Sequence, residues 1–154
     1  MSDLPPVDRT AHQELLHARS EILALVSEFT FRIDHGIPVG DLFEEKAILV
    51  TPRGEVRGRP AIAELFASLN AQRAAESHRS RHGNLDVRIS KVSEGRFEVH
   101  CLLMAFSLPA SSTGSLLIGD QVDIVRRDED GIYRFVKRAM QPALQYALVP
   151  ASSP

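Results

Sequence analysis

Residues 93–131 read SEGRFEVHCLLMAFSLPASSTGSLLIGDQVDIVRRDEDG, two long apolar runs set between turn-forming residues. Ser93-Glu94-Gly95 and Asp128-Glu129-Asp130-Gly131 are typical of hairpin turns, because glycine and short polar side chains favour tight reversals of the chain. Similar runs lie outside both turns. The pattern therefore predicts four consecutive long strands, at about 80–92, 95–109, 115–127 and 132–146.

The part of the chain before these strands has the spacing of helices. Between residues 10 and 33, apolar side chains recur every three or four positions, which is typical of one buried helical face. They are Leu15, Leu16, Ile22, Leu23, Val26, Phe29 and Ile33. Gly36 favours a helix end, and Pro60 favours the start of a second helix that ends near Ala75. Residues 46–57 between them predict a short hairpin. Helices followed by a run of long strands predict an α+β fold.

The composition is that of one globular domain. The chain has 154 residues, of which 44% are hydrophobic and 25% are charged, as in ordinary folded domains. The net charge of -2 and the pI of about 6.3 argue against nucleic acid as a partner, because phosphate backbones require a basic surface. We expect a domain over 9–148 with flexible tails at 1–8 and 149–154.

Cysteine usage and hydropathy favour a cytoplasmic protein. The single cysteine, Cys101, cannot form a disulfide within the chain, which fits a reducing compartment. We interpret it as a small buried hydrophobic residue and not as a nucleophile. The apolar stretches fall short of the roughly 20 residues that span a membrane, and the N-terminus lacks the pattern of a secretory signal. We therefore expect a cytoplasmic location and no membrane partner.

The strand predicted from Phe97 to Leu108 is apolar at both odd and even positions. Both faces of such a strand are expected to be covered, because apolar side chains then point to either side of the sheet. The helices can cover one face. We expect a second copy of the chain to cover the other, giving a homodimer or a higher homo-oligomer.

Four segments carry a resemblance to a known family. They are IDHG at 33–36, GEVRGRPAI at 54–62, RHGN at 81–84, and the pair GDQVD at 119–123 with GIYRFVKR at 131–138. Their order and spacing resemble the SnoaL-like branch of the nuclear transport factor 2-like superfamily. The resemblance covers about residues 20–148 and implies a cone-shaped fold, in which a curved antiparallel sheet of about six strands wraps around the N-terminal helices and encloses an internal pocket.

The same resemblance limits the function without deciding it. Ketosteroid isomerases, scytalone dehydratases, polyketide cyclases and the small subunits of ring-hydroxylating dioxygenases share this architecture, and a fold alone does not define an activity. The first expectation is a lyase, isomerase or cyclase that acts by acid/base chemistry on a small hydrophobic or aromatic molecule, without a cofactor. The alternatives are a non-catalytic module that binds a small molecule, and a structural subunit.

Asp34 and His82 are the catalytic residues that the resemblance implies. Asp34 falls at the end of the first helix, where dehydratase-like relatives place an acid, and His82 matches their pocket histidine. A carboxylate bonded to an imidazole holds one tautomer and leaves the other ring nitrogen for proton exchange with a substrate. The alternatives are an exposed carboxylate at a helix end, and a histidine that is solvated or bonded to backbone.

The alternation of side chains along the third strand conflicts with that assignment. His82 and Asn84 share one face of a regular strand, whereas Leu85, Val87 and Ile89 share the other. If the apolar set faces the helices, His82 points away from the pocket. A β-bulge would reverse this, and Gly83 is a suitable place for one. Alternatively, the polar set faces the mouth of the pocket.

Two positions differ from the dehydratase-like pattern. Ser107 stands at or near the position of a second pocket histidine, and Gln121 stands where a tyrosine is common. These differences disfavour dehydration of that particular kind.

The remaining candidates are substrate-binding residues. Arg138 is expected to bind a carboxylate or enolate oxygen, or to form a cross-strand ion pair with Asp123, and Asn84 could polarise an oxygen. The apolar candidates either line the pocket or fill the core. The substrate-binding set is therefore Asn84, Arg138, Phe66, Met104, Phe106, Ser107 and Gln121. No metal site is expected, because His78 and His82 lack an evident third ligand.

Overall fold

The structure, a computed structural model, describes residues 9–109 and 113–148. The tails predicted at 1–8 and 149–154 lie outside the described residues. Two α-helices and six strands form in the described part, which confirms the predicted α+β class. They are α1 (Arg9–His35), β1 (Phe43–Thr51), β2 (Gly54–Arg57), α2 (Arg59–Ala75), β3 (Arg79–Ser93), β4 (Arg96–Leu108), β5 (Gly114–Arg127) and β6 (Tyr133–Leu148), with a short 3-10 turn at Gly40–Leu42.

The described strands form one curved, open sheet in the order β2-β1-β6-β5-β4-β3. Neighbouring strands are antiparallel except β1 and β6, which run parallel with Leu49 opposite Arg138. The sheet is therefore mixed, and not wholly antiparallel as the sequence suggested. The physical reason is the connection: α2 and four further strands separate β1 from β6, so no hairpin forces them to run in opposite directions.

The core lies between α1 and the concave side of the sheet. Phe29, in the C-terminal half of α1, meets the rings of Phe43, Phe66 and Phe135 edge to face, with centroids 5.6–5.8 Å apart. Two members of the predicted stripe do not belong to the core, since Leu16 is 52% exposed and Leu23 is 42% exposed. No helix of the described part is long and apolar enough to cross a membrane.

The C-terminus of α1 ends where the sequence predicts. Gly36 has φ +69°, a left-handed conformation that glycine adopts at little cost, and the Ile37 N–H donates to the Arg32 carbonyl at 2.9 Å. This closed end positions Asp34 in the last turn of α1, which packs directly against β3.

Candidate active site

A β-bulge in β3 brings His82 to the concave face of the sheet. Leu85 pairs with Leu102 of β4 but Arg88 pairs with His100, so β3 contains one extra residue between them. The extra residue is accommodated at Asp86, whose φ of 51° is left-handed and is tolerated better by aspartate than by most residues. The bulge therefore lies a few residues beyond Gly83, the position that the sequence suggested.

The bulge removes the conflict between the two sets of β3 side chains. Before it, the even-numbered side chains of Ser80 and His82 contact Asp34 of α1, and that of Asn84 contacts Thr30. After it, the odd-numbered Val87 and Ile89 pack against the core. Polar and apolar sets thus both reach the concave face.

Asp34 and His82 form a tight, shielded pair. The Nδ1 of His82 lies 2.6 Å from Oδ1 of Asp34, and the backbone N–H of His82 donates to Oδ2 at 3.0 Å. The hydroxyl of Ser80 donates to Oδ1 at 3.4 Å. The side chains of His82 and Asp34 are only 18% and 7% exposed. An ionised Asp34 therefore holds the hydrogen of the ring on Nδ1, which makes Nε2 the nitrogen that can exchange a proton.

His82 lines a cavity of about 200 Å³ between α1, α2 and the sheet. Most of the lining is apolar. The lining residues are Phe29, Thr30, Ile33, Leu49, Val50, Thr51, Leu65, Phe66, Leu69, Arg73, His82, Leu103, Gln121, Arg138 and Met140. An apolar wall with a few convergent polar groups is typical of sites that bind small organic molecules.

Arg138 is a buried polar residue of the cavity wall. Its Nη1 donates to Oδ2 of Asp123 at 2.9 Å, and its guanidinium carbon lies 3.9 Å from the ring centroid of Phe29. The side chain of Gln121 donates to Oδ1 of Asp123 at 2.7 Å and to the Ala139 carbonyl at 2.9 Å. Arg138 thus forms the cross-strand ion pair with Asp123 that the sequence suggested as one interpretation, and it also lines the cavity.

Burial dominates the protonation of this pair. The Asp123 carboxyl is 0% exposed, and burial raises its pKa to about 6 although Arg138 and Gln121 oppose the shift. Burial also lowers the pKa of Arg138, which Asp123 partly offsets. Burial raises the pKa of Cys101 to about 11, so this thiol stays protonated, as expected for a buried residue that is not a nucleophile.

Asn84 binds α1 and does not line the cavity. Its amide donates to the hydroxyl of Thr30 at 2.8 Å, and that hydroxyl donates to the Val26 carbonyl at 3.0 Å. The thiol of Cys101 lies 3.5 Å from Oδ1, the side-chain amide oxygen, of Asn84. Asn84 therefore joins β3 to α1. In this position it does not contact a ligand in the cavity.

Three other expected binding residues also lie off the cavity. Along β4 the odd-numbered side chains are the buried ones, so Met104 and Phe106 point to the opposite, convex face. The sequence could not separate the two faces because both are apolar. Ser107 shares the face of Leu103, but its hydroxyl lies 2.6 Å from Nε2 of His78, beyond the cavity.

Phe66, Gln121, Arg138 and His82 do line the cavity. Arg73 lines it too, although the sequence did not indicate this residue. Its spacing from Phe66 and Leu69, seven and four residues along α2, would have placed it on their helical face.

Within residues 9–109 and 113–148, no group of three or more His, Cys, Asp or Glu side chains is arranged to hold a metal ion.

Fold and site together define an α+β protein with an open curved sheet, an apolar cavity and an aspartate–histidine pair on its wall. Solved structures share this fold over nearly their whole length. A protein from Novosphingobium aromaticivorans, provisionally assigned as a scytalone dehydratase, is 21% identical with a TM-score of 0.77, over 94% of this chain and 96% of that chain. The hexachlorocyclohexane dehydrochlorinase LinA type 3 from Novosphingobium barchaimii LL02 is 15% identical with a TM-score of 0.79, over 93% and 98%.

A nuclear transport factor 2-like protein with a cystatin-like fold, also from Novosphingobium aromaticivorans, is 19% identical with a TM-score of 0.71, over 90% of both chains. No protein-family model matches the chain, and no match was found among curated protein sequences. The chain therefore has the nuclear transport factor 2-like fold that the SnoaL-like resemblance predicted. At these identities the likeness establishes the fold and not an activity.

Proposed function

We propose that the chain is a lyase or isomerase that moves a proton of a small hydrophobic molecule by means of His82. The observation that carries the proposal is the contact of 2.6 Å between Nδ1 of His82 and Asp34, on the wall of a largely apolar cavity. A general base needs a fixed orientation, which the contact with Asp34 supplies, and a site that favours an organic molecule over water, which a largely apolar lining supports.

The proton transfer is balanced within the site. Nε2 of His82 takes a proton from an acidic C–H bond, and Asp34 stabilises the imidazolium that forms. In a lyase the electron pair of that bond forms a double bond to the adjacent carbon, the leaving group departs with its own bonding pair, and the imidazolium gives its proton to the leaving group or to solvent. In an isomerase the imidazolium returns the proton to another carbon of the same molecule. The guanidinium of Arg138 supplies positive charge for an oxygen that becomes negative during the step. Two structural neighbours are named as a dehydratase and a dehydrochlorinase, which supports an elimination.

Hydrogen–deuterium exchange into simple carbonyl compounds tests the base. A panel of one-ring ketones and β-hydroxy ketones is incubated with the protein in D₂O, and exchange of the carbon-bound hydrogens is followed by NMR. We expect His82→Gln to slow exchange or elimination roughly 10²- to 10⁴-fold, the usual contribution of a general base. Unchanged rates in His82→Gln would refute the proposal.

The chain offers a matched control. His100 and Asp120 form a second pair, with 3.3 Å between Nε2 and Oδ1, but on the convex face and with side chains 48% and 52% exposed. His100→Gln removes an imidazole bonded to aspartate that lies outside the cavity. Its exchange rate should equal that of the unmodified protein.

The alternative functions are outcomes of the same experiment. A molecule that binds in the cavity and is recovered unchanged, with no exchange, would favour a non-catalytic binding module. Failure to bind any small molecule, together with stable association with a larger subunit, would favour a structural role.

We also propose that two copies of the chain associate through the convex face of the sheet. Met104 and Phe106 on β4 lie beside Ile118 and Leu116 on β5, and all four are partly exposed there. Covering such a patch removes apolar surface from water. Light scattering that shows a monomer would contradict this proposal. The cytoplasmic location stays a prediction.

A further inference from the structure

We infer that the ligand of the cavity is a small one-ring carboxylate whose charged group binds Arg73. The inference deepens the proposed function, on which the choice of this cavity rests. It names the class of substrate and assigns a residue that binds it.

Arg73 has a buried hydrogen-bond donor without an acceptor. It lies in the last turn of α2 and lines the cavity with Phe66 and Leu69. Its Nη1 is buried, yet has no hydrogen-bond partner among residues 9–109 and 113–148. A buried guanidinium donor without an acceptor is costly, and an anion bound in the cavity would satisfy it.

The acid whose charge acts on Arg73 does not supply that partner. Asp34 acts electrostatically on Arg73, but its oxygens accept hydrogen bonds from His82 and Ser80, and Nη1 of Arg73 has no bond to it. The other guanidinium of the cavity, on Arg138, pairs with Asp123 and is assigned by the proposed function to the oxygen that becomes negative, so the carboxylate of the ligand is left to Arg73. Burial lowers the pKa of Arg73, partly offset by Asp34, but a guanidinium remains charged at neutral pH. Arg73 is therefore a charged hydrogen-bond donor on the cavity wall that is able to bind an anion.

The geometry favours a carboxylate over other anions. One planar guanidinium matches the two oxygens of a carboxylate, whereas a phosphate group would call for further donors. The rest of the ligand must be apolar, because Phe66, Leu69 and Leu103 form much of the remaining wall. An apolar cavity of about 150 Å³ holds benzene, so the cavity of about 200 Å³ suits one ring with a short side chain.

Calorimetry with two probes tests this class of ligand. The probes are 3-phenylpropanoate and 3-phenylpropanamide, which have the same ring and chain but differ in charge. We expect the acid to bind the full chain more tightly than the amide. Arg73→Met should weaken binding of the acid roughly 10- to 100-fold, the range for a lost charge-assisted hydrogen bond, and leave binding of the amide unchanged.

Arg79→Met is the matched control, since Arg79 is an exposed arginine a few residues further along that does not line the cavity. It should bind both probes as the unmodified protein does. Equal affinities of acid and amide, equal effects of Arg73→Met and Arg79→Met, or no binding of the acid at millimolar concentration would each overturn the inference.

A second measurement separates ligand binding from a structural role. Without a ligand, Arg73→Met removes a buried unpaired donor and keeps much of the apolar stem, so its melting temperature should equal or exceed that of the unmodified protein. A clear fall would show that Arg73 holds the fold and would overturn the inference. If Arg73→Met does not fold, that result counts in the same way.

The inference and the proposed function can fail independently. If His82→Gln retains binding of 3-phenylpropanoate while no compound exchanges hydrogen, the ligand class stands and the catalytic proposal fails. If His82-dependent exchange occurs on neutral ketones and the acid does not bind, the catalytic proposal stands and the carboxylate fails.

Discussion

Asp34→Asn should reverse the tautomer of His82. In the unmodified chain, two donors of His82, its Nδ1–H and its backbone N–H, point at the two oxygens of Asp34 from 2.6 Å and 3.0 Å. Asparagine has the same shape but offers one oxygen and one NH₂ group. The backbone donor cannot change, so it takes the oxygen. The NH₂ group then faces Nδ1, which must become an acceptor, and the ring hydrogen moves to Nε2.

The expected cost is modest. A charge-assisted hydrogen bond contributes about 1.5–3 kcal/mol and a neutral one about 0.5–1.5 kcal/mol, so the exchange should lower the free energy of unfolding by about 1–2 kcal/mol. For a chain of this length that corresponds to a fall in melting temperature of roughly 2–8 °C. The variant should therefore remain folded while Nε2 loses the lone pair that accepts a proton.

Nitrogen-15 NMR of the histidine rings reads this change without a substrate. The chain has six histidines, and comparison with His82→Gln identifies the signals of His82. At a pH where the ring is neutral, Nδ1 should carry the hydrogen in the unmodified protein and Nε2 in Asp34→Asn. Asp120→Asn, the same change in the exposed pair, should leave the signals of His82 unaltered. A hydrogen on Nε2 in the unmodified protein, or no change in Asp34→Asn, would refute the assignment of the base.

Three further changes test the buried pair and the helix end. Arg138→Met leaves Asp123 buried without its guanidinium and should lower the free energy of unfolding in urea by about 3–5 kcal/mol; a loss below about 1 kcal/mol would contradict a buried ion pair. Burial raises the pKa of Asp123 from 3.8 to about 6, so between these values the folded chain binds a proton more strongly than the unfolded chain. Its contribution to stability therefore falls as the pH rises through that window, and Asp123→Asn should remove this fall; urea titrations with the same pH dependence in both proteins would contradict it. Gly36→Ala should cost about 1 kcal/mol because φ there is +69°, whereas Gly83→Ala, where φ is not left-handed and the space beside Cα is open, should cost little. Equal melting temperatures of these two variants would contradict the role of Gly36.

Local patterns predicted the elements well where short-range physics controls them. The helix end at Gly36 and the turns at Gly95 and Gly131, all with positive φ, follow from the conformational freedom of glycine. The α+β class followed from the order of these elements. The parallel pairing of β1 with β6 did not, because it joins residues about 90 positions apart and leaves no trace in local periodicity.

The residues that line the cavity show the same difference between what the sequence determines and what the tertiary structure decides. The sequence by itself suggested Asp34 and His82 as an acid/base pair. That prediction needed only the resemblance to a family and the chemistry of the two side chains. Whether His82 faces inward depended on one extra residue at Asp86, since a shift by one position moves every following side chain of a strand to the other face. The same rule placed Met104 and Phe106 outside, and the close packing of α2 against the sheet brought in Arg73. Such facing is a property of pairing between distant strands, which no single stretch of the chain contains.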